Sequence, residues 1–213
     1  MAIRNHNIHI FKHELELVEL ATTWLGECQR QKAKSVYLPA GASALPLYKA
    51  WNSSESQCLK GIKLVQVDDI TEGPKTGEFK KFFETHLSKH TGAFHWIHED
   101  FFQADVAILG LGLNGHVGFH EPHIKRDFLY GPVVLEESTC RRLGTPFKTP
   151  GLTYGLGAFM QCKSILLILR GVDKMVVAKR TLQRDPLLPA SSLIDHGNLK
   201  ILVDSELENM LNP

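Results

Sequence analysis

The densest group of proton-moving side chains in the chain lies in the stretch Asp105-Val-Ala-Ile-Leu-Gly-Leu-Gly-Leu-Asn-Gly-His-Val-Gly-Phe-His-Glu-Pro122. Asn114, His116, His120 and Glu121 sit there among glycines at 110, 112, 115 and 118. Histidine changes charge near neutral pH, and a carboxylate or amide beside it can fix its tautomer and orientation. Glycine lacks a Cβ, so the backbone between these groups can turn tightly and approach a ligand. Gly110, Gly112 and Gly115 also fit G-x-G-x-x-G, a dinucleotide fingerprint. That use requires a helix to begin at the loop, and Gly118 and Pro122 make poor helix material. The remaining reading of the residues is a glycine-rich turn that carries surface histidines.

Four other places carry chemistry-bearing residues. Asp68 and Asp69 close the apolar run Ile62–Val67. As neighbours on an extended chain they point to opposite sides, so at most one faces a crevice; otherwise both are solvated loop acids. Gly41, Ala42 and Ser43 form a small-residue turn between Val36–Leu38 and an apolar helix over 44–51. Strand, small turn and helix is the layout of an anion site, although Ser43 could equally be an ordinary helix N-cap. Lys174 falls in the first turn of a helix running to Arg184, where a cation opposes the helix dipole unless it shares an anion with it. Arg141 and Arg142 lie in the Pro- and Gly-containing segment 138–150.

His86 and His90 stand i, i+4 and could bind zinc, but no third ligand lies at a convincing spacing, and a solvated polar face accounts for them. Phe79, Phe82, Phe83 and Leu87 form a stripe at helical spacing that reads as core.

These residues need a scaffold. Val106–Leu109 is short, apolar and bounded by glycine, as a doubly buried parallel strand should be, and Ser164–Leu169 reads the same way. With strands at 36–38, 62–67, 133–135 and 199–203, helices over 11–30, 44–51, 158–162 and 174–184, and a short last helix from Pro189, the pattern is a three-layer α/β/α fold. Its sheet is doubly wound and mostly parallel, with the ligand crevice beyond the strands' carboxyl ends. The length of 213 residues suits one domain over 1–213.

Lysine and arginine total 24 against 23 acids, for a net charge of +1, which gives no broad electrostatic case for nucleic acid or a membrane surface. The four cysteines are scattered with no C-x-x-C pair, as in a reducing compartment without a metal site. No apolar run is long enough to span a bilayer, and Met1–Asn7 has no apolar signal region. A cytoplasmic location is expected.

The stretch Leu109–Pro122 resembles the signature G-x-G-x-[DN]-G-H-[IVL]-[AG]-F-N-E-P of the glucosamine-6-phosphate deaminase (isomerase) family, which shares its NagB-like fold with the 6-phosphogluconolactonases. Asn114 and Gly118 look closest to the galactosamine-6-phosphate isomerase branch, and Glu121-Pro122 favours the isomerases over the lactonases. Leu152–Gly157 resembles the family's L-T-x-G-x-G element, and Pro189–Leu193 its P-A-S-x-L segment.

The resemblance implies an amino-sugar 6-phosphate isomerase/deaminase that forms the ketose 6-phosphate and ammonia without a metal or other cofactor. It implies Asp68 as the C2 base, with Asp69 tuning its field. His116 would be the ring-opening acid–base, oriented by Glu121 and Asn114. Gly41, Ala42, Ser43, Lys174 and an arginine, Arg142 or its competitor Arg141, would hold the phosphate, the arginine coming from 138–150, a region that is longer and forms a mobile lid in the deaminases. Asn114 replaces the deaminases' Asp, and His120 replaces their Asn. A lactone hydrolase and an inactive sugar-phosphate binder remain as alternatives. The partner is a small sugar phosphate, with no nucleic acid or membrane, and a homo-oligomer is compatible with it. The preferred sugar, gluco or galacto, stays open.

Overall fold

The computed structural model describes residues 7–53 and 57–211. Most of the amino-terminal segment read for a signal, residues 1–6, lies outside them. In chain order the elements are β1 (Asn7–Phe11), α1 (Glu14–Arg30), β2 (Ser35–Leu38), α2 (Leu45–Trp51), β3 (Lys63–Gln66), β4 (Asp68–Ile70), α3 (Glu78–His86) and β5 (Phe94–His95). There follow β6 (Val106–Gly110), β7 (Tyr130–Val134), α4 (Glu137–Leu143), β8 (Pro150–Tyr154), α5 (Leu156–Phe159), β9 (Ser164–Leu169), α6 (Met175–Leu182) and β10 (Leu199–Asp204). Short 3-10 turns fill 88–93, 172–174, 189–195 and 205–211.

Seven strands form one sheet in the order β1-β10-β9-β6-β2-β3-β5, every neighbouring pair parallel. Alternate residues of its central strands enter different cores. Tyr37, Val65, Ala107, Leu109, Ile165 and Leu167 pack on one face with α5 and α6. Val36, Leu38, Leu64, Ile108, Leu166 and Ile168 pack on the other with α1 and α2. Both faces of β6 and β9 are therefore covered, which explains runs such as Ser164–Leu169 that show no polar alternation. Helix α1 buries Leu17, Ala21, Trp24, Leu25 and Cys28 along one stripe, and His13 caps it by accepting the Glu16 N–H at 3.2 Å. From β2 the chain builds outward to β3 and β5; from β6 it builds the other way. The order reverses between β2 and β6, and the open carboxyl ends there form the crevice of a doubly wound sheet.

Several elements differ from the sequence expectations. Strand β1 at the sheet edge and the two-residue β5 have no legible pattern. The 62–67 run ends as a strand at Gln66, and Asp68–Ile70 opens a separate three-stranded antiparallel sheet, β4-β8-β7. That makes Asp68 and Asp69 buried strand residues, so the reading as solvated loop acids falls. The segment 138–150, matched to the deaminases' lid, contains helix α4, closed by Gly144 in the left-handed region at φ +64°.

Candidate active site

A cavity of ≈ 370 Å³ opens at the carboxyl ends of β2 and β6. Asp68, His116, Gly41, Ala42, Ser43, Arg142 and Lys174 all line it. Asn114 and Glu121 stand behind His116. The strands place these groups, because the loops after β2, β6 and β9 and strand β4 converge on the reversal point.

His116 is only partly exposed, and its Nδ1 lies 3.4 Å from Glu121 Oε2 and 3.2 Å from Thr139 Oγ1. Those acceptors assign the Nδ1–H tautomer and leave Nε2 for the cavity. Gly112 makes room for the ring: a Cβ there would lie 2.2 Å from His116 Nε2. Gly118, at φ +58°, turns the chain back toward Glu121 with Val67 so close that a Cβ would stand 2.8 Å from it.

Glu121 is fully buried, and Asn114 Nδ2 donates to its Oε2 at 2.6 Å and the Glu136 N–H to its Oε1 at 3.2 Å. Burial alone would raise this carboxyl. Hydrogen bonds from His116, Thr139 and Asn114, with the charge of His116, hold it down to about 2. Asn114 thus acts on the imidazole through Glu121 and through the backbone of His116. Its side-chain amide bonds to Glu121 and not to the ring. Its Oδ1 accepts the His116 N–H at 3.3 Å, and its Nδ2 also reaches Glu136 Oε2 at 3.2 Å.

The two acids of β4 separate as strand geometry requires. Asp69 points inward, where it accepts from the N–H groups of Ile70 at 2.8 Å, Phe79 at 3.1 Å and Lys80 at 3.0 Å, and from Gln66 Nε2 at 3.0 Å. It ties α3 to β4, a structural role beyond field tuning. Asp68 points the other way, into the cavity, and its Oδ1 is buried without a hydrogen-bond partner. Burial, reinforced by the charge of Asp69, raises its carboxyl well above the usual range. An orphaned buried oxygen on a basic carboxylate is the strongest sign in the molecule that something else is meant to meet it.

At the cavity's far end Lys174 is nearly buried, and its Nζ donates to Ser43 Oγ at 3.1 Å. Burial, with Arg142 and Arg170 nearby and only Asp173 opposing them, lowers Lys174 to about 8. Ser43 is not the N-cap of α2; Ala44 holds that position and no side chain caps the helix. Arg142 Nη1 pairs with Asp173 Oδ2 at 2.9 Å beside Lys174. Arg141 pairs with Glu137 on the surface of a different depression, so of the two arginines only Arg142 reaches the cavity.

The sequence reading missed Thr139, Glu136 and Lys75, all in or against segments without periodicity. It also assigned Phe79 and Phe82 wholly to the core. Phe83 is buried as expected, but Phe79 and Phe82, one turn apart, form a wall of the cavity. His120 faces away from the cavity: its Nδ1 accepts the Leu156 N–H at 3.1 Å, and burial first, then Arg126, lowers its pKa to about 4. His90 contacts the Trp51 carbonyl, and no metal-ligating cluster occurs among the described residues. No helix among them is long and apolar enough to cross a membrane.

No family model matches the chain. Curated proteins do. A glucosamine-6-phosphate deaminase of Lysinibacillus sphaericus is 39% identical over 112 residues, 49% of this chain and 51% of that protein. One of Clostridium botulinum is 33% identical over 117 residues, 51% of this chain and 47% of that protein. The chain spans about half the length of the curated relatives it matches. Among solved structures, a monomeric glucosamine-6-phosphate deaminase described as a missing link of the NagB superfamily superposes with TM-score 0.80 at 20% identity, covering 96% of this chain and 99% of that one. Over about half of its length the chain is similar in sequence to glucosamine-6-phosphate deaminases, and its fold is that of the NagB-superfamily structure. That fold also serves hydrolases: a 6-phosphogluconolactonase from Shewanella baltica superposes with TM-score 0.71 at 16% identity over 96% of this chain and all of that one. The sequence resemblance and the α/β/α expectation agree with these findings.

Proposed function

We propose that this chain is an amino-sugar 6-phosphate isomerase/deaminase, acting in the cytoplasm on glucosamine- or galactosamine-6-phosphate. The observation that carries the reading is the shared cavity. A buried basic carboxyl with an unpartnered oxygen and a carboxylate-backed imidazole line the same space, and a lysine–serine–arginine group closes its other end.

Lys174, Ser43 and Arg142 would hold the phosphate, and that binding energy fixes the reacting end. His116 Nε2 moves the proton at the ring oxygen and opens the pyranose, while Glu121 stabilises the imidazolium. Asp68 takes the C2 proton and returns it to C1 through an enolamine, leaving a C2 ketimine. Water hydrolyses that imine to the ketose and ammonia. Every step is a proton transfer or hydrolysis, so the chemistry asks for no metal or redox cofactor. The raised basicity of Asp68 suits abstraction from carbon.

Ammonia release assayed with both amino sugars tests the proposal and decides the epimer. Activity on either that Asp68→Asn abolishes is expected; no release from either would sink it. Lactone hydrolysis is the second reading, favoured by the lactonases of the same fold. It needs His116 to activate water and gives Asp68 no proton to take. Rapid hydrolysis of 6-phosphogluconolactone that survives Asp68→Asn but not His116→Ala would establish it. Tight sugar-phosphate binding without either reaction would mark an inactive binder.

A further inference from the structure

The geometry points to Asn114 as an amide bridge that holds two carboxylates, Glu121 and Glu136, side by side behind His116. Glu136 is then a positioning residue for the acid–base pair. The inference deepens the proposed deaminase reading and rests on it for its catalytic consequence.

The side-chain amide of Asn114 has two N–H protons and one oxygen, and all three are used. Nδ2 reaches Glu121 Oε2 at 2.6 Å and Glu136 Oε2 at 3.2 Å, and Oδ1 accepts the His116 N–H at 3.3 Å. This pattern fixes the amide's orientation, since the flipped form would aim its oxygen at two carboxylates. The carboxylates are joined a second time by the Glu136 N–H, which donates to Glu121 Oε1 at 3.2 Å. The other oxygen of Glu136 faces His123 Nδ1 at 3.2 Å, at the surface. The charged and titratable groups around the pair are His116, His123 and His120, which feels the charge of Glu121, with Glu137, Arg141 and Lys148 around the surface depression that Glu136 lines and Thr139 as a neutral neighbour on α4.

Two carboxylates this close repel unless a donor lies between them. An amide supplies that donor twice; a carboxylate at 114 would supply none and add a third charge. Asn114 is thus matched to Glu136. The Asp that the deaminases carry at this position, on the sequence resemblance, would suit a site without a second glutamate there. What the Asn departure takes from the site is acidity, and what it supplies is a fixed Glu121, hence a fixed imidazole.

The test compares Asn114→Asp in the native and Glu136→Gln backgrounds. In the native background kcat is expected to fall about tenfold or more at pH 7.5 and to recover toward pH 6, where one of three crowded carboxyls takes a proton. In the Glu136→Gln background the same substitution is expected to lose less than about threefold. Carboxyl-carbon NMR of the free proteins gives a substrate-independent readout. Besides the raised carboxyl of Asp68, present in every variant, a second carboxyl titrating above about 6 should appear in Asn114→Asp and vanish when Glu136→Gln is added.

Equal losses in both backgrounds, or no raised carboxyl beyond that of Asp68, would overturn the inference. If Asn114→Asp alone does not fold, Glu136→Gln must restore folding, and failure to do so also overturns it. If the native protein releases no ammonia, the deaminase reading fails on its own, while the carboxyl titration still decides the bridge.

Discussion

The two ends of the cavity are built on opposite electrostatic plans. At the imidazole end the charge is buried and partnered behind a half-buried ring: Glu121 is sealed among Asn114, His116 and the Glu136 backbone. At the cation end the charges are several and partly wet. Arg142 is about half exposed and paired with Asp173, and only Lys174 is nearly buried. A buried, fully partnered network fails steeply when one member is removed, because a desolvated group is left unpaired. A wet cluster of like charges fails gradually, since neighbours and solvent compensate. On the proposed function, chemistry falls at the first kind of end and anchoring at the second.

The comparison can be broken by mutation, and the largest effect should come from the unpartnered carboxyl. Asp68→Asn is expected to lower kcat about 10³-fold with KM nearly unchanged, measured by ammonia release. A loss mainly in KM would move Asp68 from chemistry to binding. Next, Glu121→Gln should lower kcat about 10²-fold, because the amide cannot stabilise imidazolium as the carboxylate does.

At the wet end Lys174→Met should act mainly on KM, raising it about 10- to 100-fold, with Arg142→Ala smaller at about fivefold and Arg141→Ala silent. A pH series sharpens this. Lys174 titrates near 8, so KM of the native protein should climb as pH passes about 8 and the charge disappears, and should be flat there in Lys174→Met. An equal climb in the variant would assign the pH effect elsewhere.

The smallest expected effect is on stability and lies outside both ends. His120 has its folded pKa lowered to about 4, below the usual histidine value near 6.5, so it folds neutral. The unfolded chain binds the extra proton between those values, so stability is lost as pH falls from about 6.5 toward 4. His120→Asn keeps an acceptor for the Leu156 N–H and should flatten that slope in thermal melts at pH 7 and 5. An unchanged slope would show that other groups set the acid limit.

Much of this molecule was legible from the chain alone because its main sheet is parallel. Strands buried on both faces read as unbroken apolar runs, and β6 and β9 emerged on that signal. The glycine loop after β6 advertised its chemistry by residue type, and Lys174 by standing where a helix dipole disfavours it. The antiparallel sheet gave no such signal. Its strands are three to five residues long, and Asp68-Asp69-Ile70 carries two acids that look like a loop. Phe79 and Phe82 were hidden for a different reason: helical spacing marks an apolar face without saying whether a neighbour or a cavity meets it.

The sequence by itself determined the α/β/α class, the glycine- and histidine-rich loop, the small-residue turn at 41–43 and the family resemblance, because those rest on local residue types and periods. Only the tertiary structure decided which partner each polar group takes. It separated Asp68 from Asp69 by the two faces of one strand, chose Arg142 over Arg141 by the direction of α4, gave Ser43 to Lys174, and set Asn114 between two glutamates. Such pairings join residues far apart in the chain, and their energies depend on burial and distance, quantities that exist only once the strands have closed over the cavity.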